Sequence, residues 1–304
     1  MQKYPFPVDP ELTQIAMAYR NKSMIADSVL PIVPVGKQSF KYSVYAKEER
    51  FTVPETLVGR KSRPNQVEFG ADEETASTRD YALDDPIPQD DIDHAPPGHN
   101  PVEQAVEAIQ DLLALAREIR VAQMVMNANN YAAGNKKALS TAWTDPAADV
   151  IGDIHAAQDA MIMDANVMTL GMADWRALST HPQIVKAVQG NSGDSGVARR
   201  EQVAELFELE EILVGQGRVN TAKKGQNPVF ERCWNGVHLQ HRAAVINTRN
   251  GITFGFTGEY GQRVSGQDPD KNIGMRGGQV VRSGMSVVEL ISASDLGYLI
   301  TGTN

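Results

Sequence analysis

The sequence predicts a mixed α+β fold, and three stretches carry that expectation. Between Phe40 and Leu83 apolar and polar residues alternate around a basic, proline-bearing turn, the period-two pattern of a long hairpin. From Asn100 apolar residues recur at spacings of three and four, as on one face of a long helix. From about His241 to the end, β-branched and aromatic runs are broken by glycines and read as strands. The 304 residues are 41% hydrophobic and 22% charged, enough apolar material for one large core or two modest ones.

Taken in order, residues 1–34 hold one helical phrase, "DPELTQIAMAYRNKSMIADSVLP". Its Leu12, Ile15, Met17, Tyr19 and Ile25 form only a loose stripe, so it reads as an arm that needs another surface. The hairpin follows. Its first strand sets Phe40, Tyr42, Val44 and Ala46 against Lys41, Ser43, Tyr45 and Lys47. Its second sets Val67, Phe69 and Ala71 against Gln66, Glu68 and Gly70, then continues through "DEETASTRDYAL". A two-stranded ribbon this poor in apolar residues is marginal in water, so it either folds back on its own domain or is completed by another molecule. Its turn, "VGRKSRPN", carries Arg60, Lys61 and Arg63. These either complement an acidic surface on a neighbour or form a solvated charged turn.

A proline-rich acidic connector, "DDPIPQDDIDHAPPGHNP", precedes the long helix. Asn100 suits the N-cap, Pro101 the first helical position and Glu103 the third residue of a capping box. Val102, Val106, Ile109, Leu113, Ala116 and Ile119 form the expected buried stripe of a helix ending near Asn130, a rod of about 45 Å. Helix and strand then alternate. Asp145-Pro146 repeats the capped start ahead of Val150, Ile151, Ile154 and Ala157, "NVMTL" is a short strand, and "MADWRALSTHPQIVKAVQG" is a helix broken at Pro182. "NSGDSG" is a loop, "REQVAELFEL" a helix and "EILVG" a buried strand; "HRAAVINT", "ITFGFTG", "QVVRSGMSVVELIS" and "LGYLIT" complete the β-rich part.

Composition removes several classes of function. The net charge of −9 argues against a broad basic face gripping phosphates. The single Cys233 has no partner for a disulfide or a CxxC pair. The proline-bearing start and the lack of a bilayer-length apolar run predict neither signal peptide nor membrane. His94 and His99 with Asp90, Asp91 and Asp93 are the densest set of metal-ligand types, and a metal-dependent hydrolase would be built on them; without a scaffold they read as a hydrated linker. His238 and His241 fall on opposite faces of a strand, and His155 and His181 have no nucleophile beside them. "GNSGDSG" and "GMRGG" lack both the P-loop and the dinucleotide pattern. Met124, Met126, Met161, Met163, Met168 and Met172 suit an adaptable groove, but core packing is the commoner use. No catalytic residue, metal or cofactor is assigned.

Two phrases carry a resemblance: "DVIGDIHAAQDAMIMDANVMTLGMADWRALSTHPQIV" at 149–185 and "REQVAELFELEEILVG" at 200–215. With the order of arm, polar hairpin, capped helix, α/β middle and β-rich finish, the chain resembles the major capsid (major head) proteins of tailed bacteriophages. These have the Hong Kong-97 type fold, which encapsulins share. The resemblance implies an N-terminal arm at 1–34, an extended loop at 35–85, a peripheral domain with the spine helix at 86–144, an axial domain at 145–250 and a return to the peripheral domain at 251–304. It implies a structural protein, not an enzyme, that forms pentamers and hexamers of itself around double-stranded DNA, contacted weakly. A separate scaffolding protein, a portal and a decoration protein are the implied partners, and the virion, assembled in host cytoplasm, the implied location. The knot of Arg60, Lys61 and Arg63 becomes the extended-loop tip on an adjacent subunit. In relatives that cross-link covalently the matching residues would be Lys61 and Asn272. An encapsulin-like shell around protein cargo is the alternative reading.

Overall fold

The computed structural model describes residues 6–19, 21, 23–44, 53–66, 72–190, 196–223, 225–248 and 252–304. The arm forms helix α1 (Pro10–Ala18), started by Asp9, whose carboxylate accepts from the Glu11 amide at 2.9 Å. A short α2 (Ala26–Val29) and strand β1 (Ile32–Val35) follow. The hairpin strands are β2 (Ser39–Val44) and β3 (Asp72–Ser77), and β4 (Arg79–Pro88) continues from them. The expected strand positions Tyr45, Ala46, Lys47, Val67, Phe69 and Ala71 lie outside the described residues.

After a short helix α3 (Gln89–Asp93) comes the long helix α4 (Pro101–Val125), and then β5 (Lys136–Ala138). Next in order are α5 (Val150–Asp159), β6 (Val167–Gly171), α6 (Met172–Thr180), α7 (Pro182–Gln189), α8 (Arg200–Leu206) and β7 (Glu211–Gly215). A small hairpin, β8 (Arg218–Asn220) and β9 (Phe230–Arg232), leads to β10 (Val237–Gln240). The chain finishes with β11 (Gly255–Tyr260), β12 (Val264–Asp270), β13 (Gly278–Ile291) and β14 (Gly297–Thr301).

Two five-stranded sheets organise these parts among the described residues. In the first, β13 is the axis. β11 and β12 run one after the other along one flank, with the register slipping by two residues between Glu259↔Val287 and Val264↔Gly284. The slip is taken up at the intervening turn, where Gly261 has φ +77, a conformation that costs glycine little. β1 adds parallel to β11, and β4 pairs the opposite flank of β13 from Arg79↔Val287 to Pro88↔Gly278. Pro86 and Pro88 are tolerated because β4 is an edge strand and owes no amide to a further neighbour. The second sheet runs β5-β14-β10-β6-β7, with β6 and β10 wholly buried. Gly171 and Gly215 face each other where β6 and β7 end, and a side chain on either would collide with Trp234.

The 25 residues of α4 span about 37 Å and join the two layers. Val102, Val106, Ile109 and Leu113 are buried with Ile87, Val281, Met285 and Val287 of the first sheet and Leu12 and Ala16 of α1. Val121, Ala122 and Val125 are buried with Trp234, Phe254 and Leu299 beside the second sheet. Each large aliphatic side chain so buried contributes about 1.5–3 kcal/mol.

Several expectations need correction. The long helix stops at Val125, with a short 3-10 turn at Ala128–Asn130 in place of its last turn. Ile119 is only half-buried and Ala116 is exposed, because steps of four from Leu113 lead to Arg117 and Val121. The cap of α5 is Asp149, not Asp145. "DDPIP" is not a connector but the end of β4. Residues 241–248 form no strand; the strand is β10, immediately before them. In sheet membership, β1 belongs with β11–β13 and β14 with β10 and β5.

Candidate assembly surface

The hairpin is anchored at its base. Tyr42 is buried and meets Phe256 edge to face, with centroids 6.0 Å apart. Its hydroxyl donates to Glu74 at 2.5 Å, and burial together with that carboxylate pushes its pKa up to about 12. Phe40 lies against Gly258, where any side chain would strike its ring. The Ser43 amide donates to the Thr248 carbonyl at 2.9 Å. These contacts pack the base, a two-stranded sheet of its own, against the first sheet.

The outer part has no such support. Every residue of 53–66 is exposed, including Val53 at 82% and Leu57 at 84%. Among the described residues its hydrogen bonds are its own: Ser62 amide to Gly59 carbonyl, Leu57 amide to the Glu55 carboxylate, and Asn65 side-chain amide to the Glu55 carbonyl at 2.8 Å. Arg60, Lys61 and Arg63 stand on this tip without an ion pair among the described residues.

A second polar centre, missed by a reading that followed apolar residues, sits on α4. Glu118 is fully buried and accepts from the amides of Ile25 (2.9 Å) and Ala26 (2.8 Å) and from Trp234 Nε1 (2.5 Å). Burial pushes its pKa up, and the three donors pull against that shift. Arg117 pairs with Asp27 and donates to the Leu30 carbonyl and to Thr257 Oγ1. Arg120 pairs with Glu289 at 2.8 Å and lies 3.9 Å from the centre of the Tyr81 ring. These side chains fasten α2, the first sheet and the Trp234 segment to one helix. The readable signal was a charged pair falling where the apolar stripe should continue.

The remaining candidates are dispersed. His94 and His99 are exposed, and among the described residues no group of three or more His, Cys, Asp or Glu is arranged to hold a metal ion. His238 is fully buried, bonded to the Tyr131 hydroxyl at 2.9 Å, and burial pulls its pKa down to about 4; His241 bonds the Asp164 carbonyl instead. His181 caps α7, and His155 lies on the outside of α5 against Phe207. Burial, and secondarily the Glu118 charge, pushes the Cys233 thiol up to about 11, so it is a poor nucleophile. Met161 and Met168 are core residues. The described part of "GNSGDSG" is its two end glycines, Gly190 and Gly196. No helix among the described residues is long and apolar enough to cross a membrane.

An arm, a hairpin anchored at one end, a helix that ties two sheets and a mixed second sheet define the Hong Kong-97 type shell-protein fold. Solved structures agree. A phage-related protein of Bordetella bronchiseptica RB50 superposes with TM-score 0.78 at 24% identity, covering 99% of this chain and 98% of its own. The capsid of cyanophage P-SCSP1u superposes at 0.58 with 10% identity, covering 99% and 92%, and an encapsulin of Synechococcus elongatus PCC 7942 at 0.56 with 10% identity, covering 96% and 94%. No family model matches the sequence. The major capsid protein of Pseudomonas phage JBD67 is 53% identical over 302 residues, covering 98% of this chain and 97% of the relative. That of Burkholderia phage BcepMu is 29% identical over 313 residues, with the same coverage. The chain belongs to the phage major capsid protein family, whose members build icosahedral heads.

Proposed function

We propose that copies of this chain assemble as pentamers and hexamers into a phage head enclosing double-stranded DNA, with the 53–66 tip of each copy laid on its neighbour. The observation that carries the reading is the tip itself: fourteen consecutive exposed residues, 53–66, apolar and basic together, with no intrachain ion pair among the described residues. A segment with so little support of its own gains its order from a partner. The arm at 1–34, extended loop at 35–85, peripheral segments at 86–144 and 251–304 and axial segment at 145–250 are the working division.

The net charge of −9 favours containment of a polyanion over tight binding. A separate scaffolding protein, a portal and a decoration protein complete the assembly in the host cytoplasm. Lys61 and Asn272 are both exposed and are the residues to inspect for covalent linkage. An encapsulin-like shell shares the fold but is disfavoured, because the relative at 53% identity is a phage major capsid protein. The test is Arg60→Glu/Lys61→Glu/Arg63→Glu, with particles followed by electron microscopy and sedimentation. Folded subunits that fail to close into shells are expected; normal particles would refute the tip contact.

A further inference from the structure

We propose that the tip of one copy seats in a specific groove of the next, the one between the end of β4, α3 and the start of α4. The inference rests on the tip contact proposed above and names its other half. The groove has a volume of about 540 Å³, with apolar walls that include Pro86, Pro88, Ala95, Pro96 and Ala108. Two carboxylates, Asp85 and Asp91, also line it.

Those two acids differ from their neighbours. Asp84 is engaged by Arg282 at 2.6 Å, Asp90 by Arg276 at 2.8 Å, and Asp93 by the Gln89 side-chain amide at 2.9 Å. Asp91 is exposed and Asp85 half-buried, and neither has an ion pair among the described residues. In an acidic run the carboxylates left unpaired are therefore the ones that line the groove. The tip is the complement in both respects: Val53, Leu57 and Val58 are 82%, 84% and 44% exposed, and Arg60, Lys61 and Arg63 are unpaired among the described residues.

Charges meeting across an apolar contact set register and speed encounter, while the apolar side chains leave water. No hydrogen bond or ion pair joins the described tip to the groove of its own chain. Each copy thus carries two different, complementary surfaces. That is a head-to-tail arrangement, which generates closed rings when the rotation closes.

The experiment uses the full chain, expressed with the other head genes of its source, and scores closed particles and subunit melting. Asp85→Lys/Asp91→Lys is expected to lower particle yield about tenfold or more with melting unchanged, as the tip reversal does. Combining the two reversals is expected to recover most of the yield. A groove reversal with wild-type yield, together with a combination no better than the tip reversal, overturns the groove and leaves the tip contact standing. A harmless tip reversal removes both. Independently, Leu57→Cys/Ala95→Cys particles treated with a mild thiol oxidant should give a ladder of linked chains on a denaturing gel, and either single substitution none. Closed particles without a ladder would also overturn the groove.

Discussion

Arg117 and Arg60 have the same side chain and opposite surroundings. The Arg117 side chain is 3% exposed and is held by Asp27, the Leu30 carbonyl and Thr257. Arg60 is exposed and unpaired among the described residues. The first charge ties parts of one chain together, and its loss is felt by the fold. Under the proposed tip contact the second serves another molecule, and its loss is expected to be felt only on assembly. A subunit that must change neighbours without unfolding needs both kinds, kept apart in space.

Predictions that would break or sharpen this contrast run from large to small. Ile109→Asp places a charge among Val106, Leu113 and Val281; the expected cost is more than about 4 kcal/mol, enough to leave little soluble protein with a native circular dichroism spectrum. Glu118→Ala strands the Ile25 and Ala26 amides and Trp234 Nε1. It should cost about 3–5 kcal/mol in denaturant unfolding, from stranded buried donors at about 1–3 kcal/mol each, where the tip reversal costs nothing measurable.

The pH response of the buried layer comes next. His238 has its pKa depressed to about 4 from 6.5 by burial, so the folded state resists a proton that the unfolded chain accepts. Its contribution is full above about pH 6.5 and is lost as pH falls toward about 4, a total of about 3 kcal/mol. Glu118 and Asp174, whose pKa values burial raises, act in the opposite direction. The comparison that isolates the histidine is therefore wild type against His238→Gln, whose stability difference should shrink over that window. A difference independent of pH would contradict the buried neutral imidazole. The smallest effect belongs to Lys41→Ala, which removes an exposed pair with Glu73 at 2.6 Å and should change stability by less than about 1 kcal/mol.

Legibility in the sequence followed the range of the forces involved. The start of α4 was readable because Asn100 and Pro101 are a local cap: the Asn100 side chain accepts from the Val102 amide. Its end was not, because nothing in the residues after Val125 breaks a helix as firmly as proline does, and tertiary contacts set the stop, with the Tyr131 hydroxyl bonding the Val125 carbonyl at 2.7 Å. "DDPIP" reads as a connector because proline opposes strands; only the pairing with β13 shows that its position is an edge. The groove was invisible for a related reason. Asp84, Asp85, Asp90 and Asp91 are alike as letters, and which of them remain unpaired depends on Arg276 and Arg282 nearly two hundred residues away.

By itself the sequence determined the α+β composition, the polar ribbon with its basic tip, the capped helix and the order of parts that marks a phage shell protein. Each of these follows from local periodicity, caps and turn chemistry, which act over a few residues. Only the tertiary structure decided that one helix is pinned by Arg117, Glu118 and Arg120, that β14 joins β10 and β5 instead of its chain neighbour β13, and which carboxylates stay unpaired among the described residues. Those outcomes depend on contacts between distant segments, and burial there changes what a charge costs and what a partner is worth.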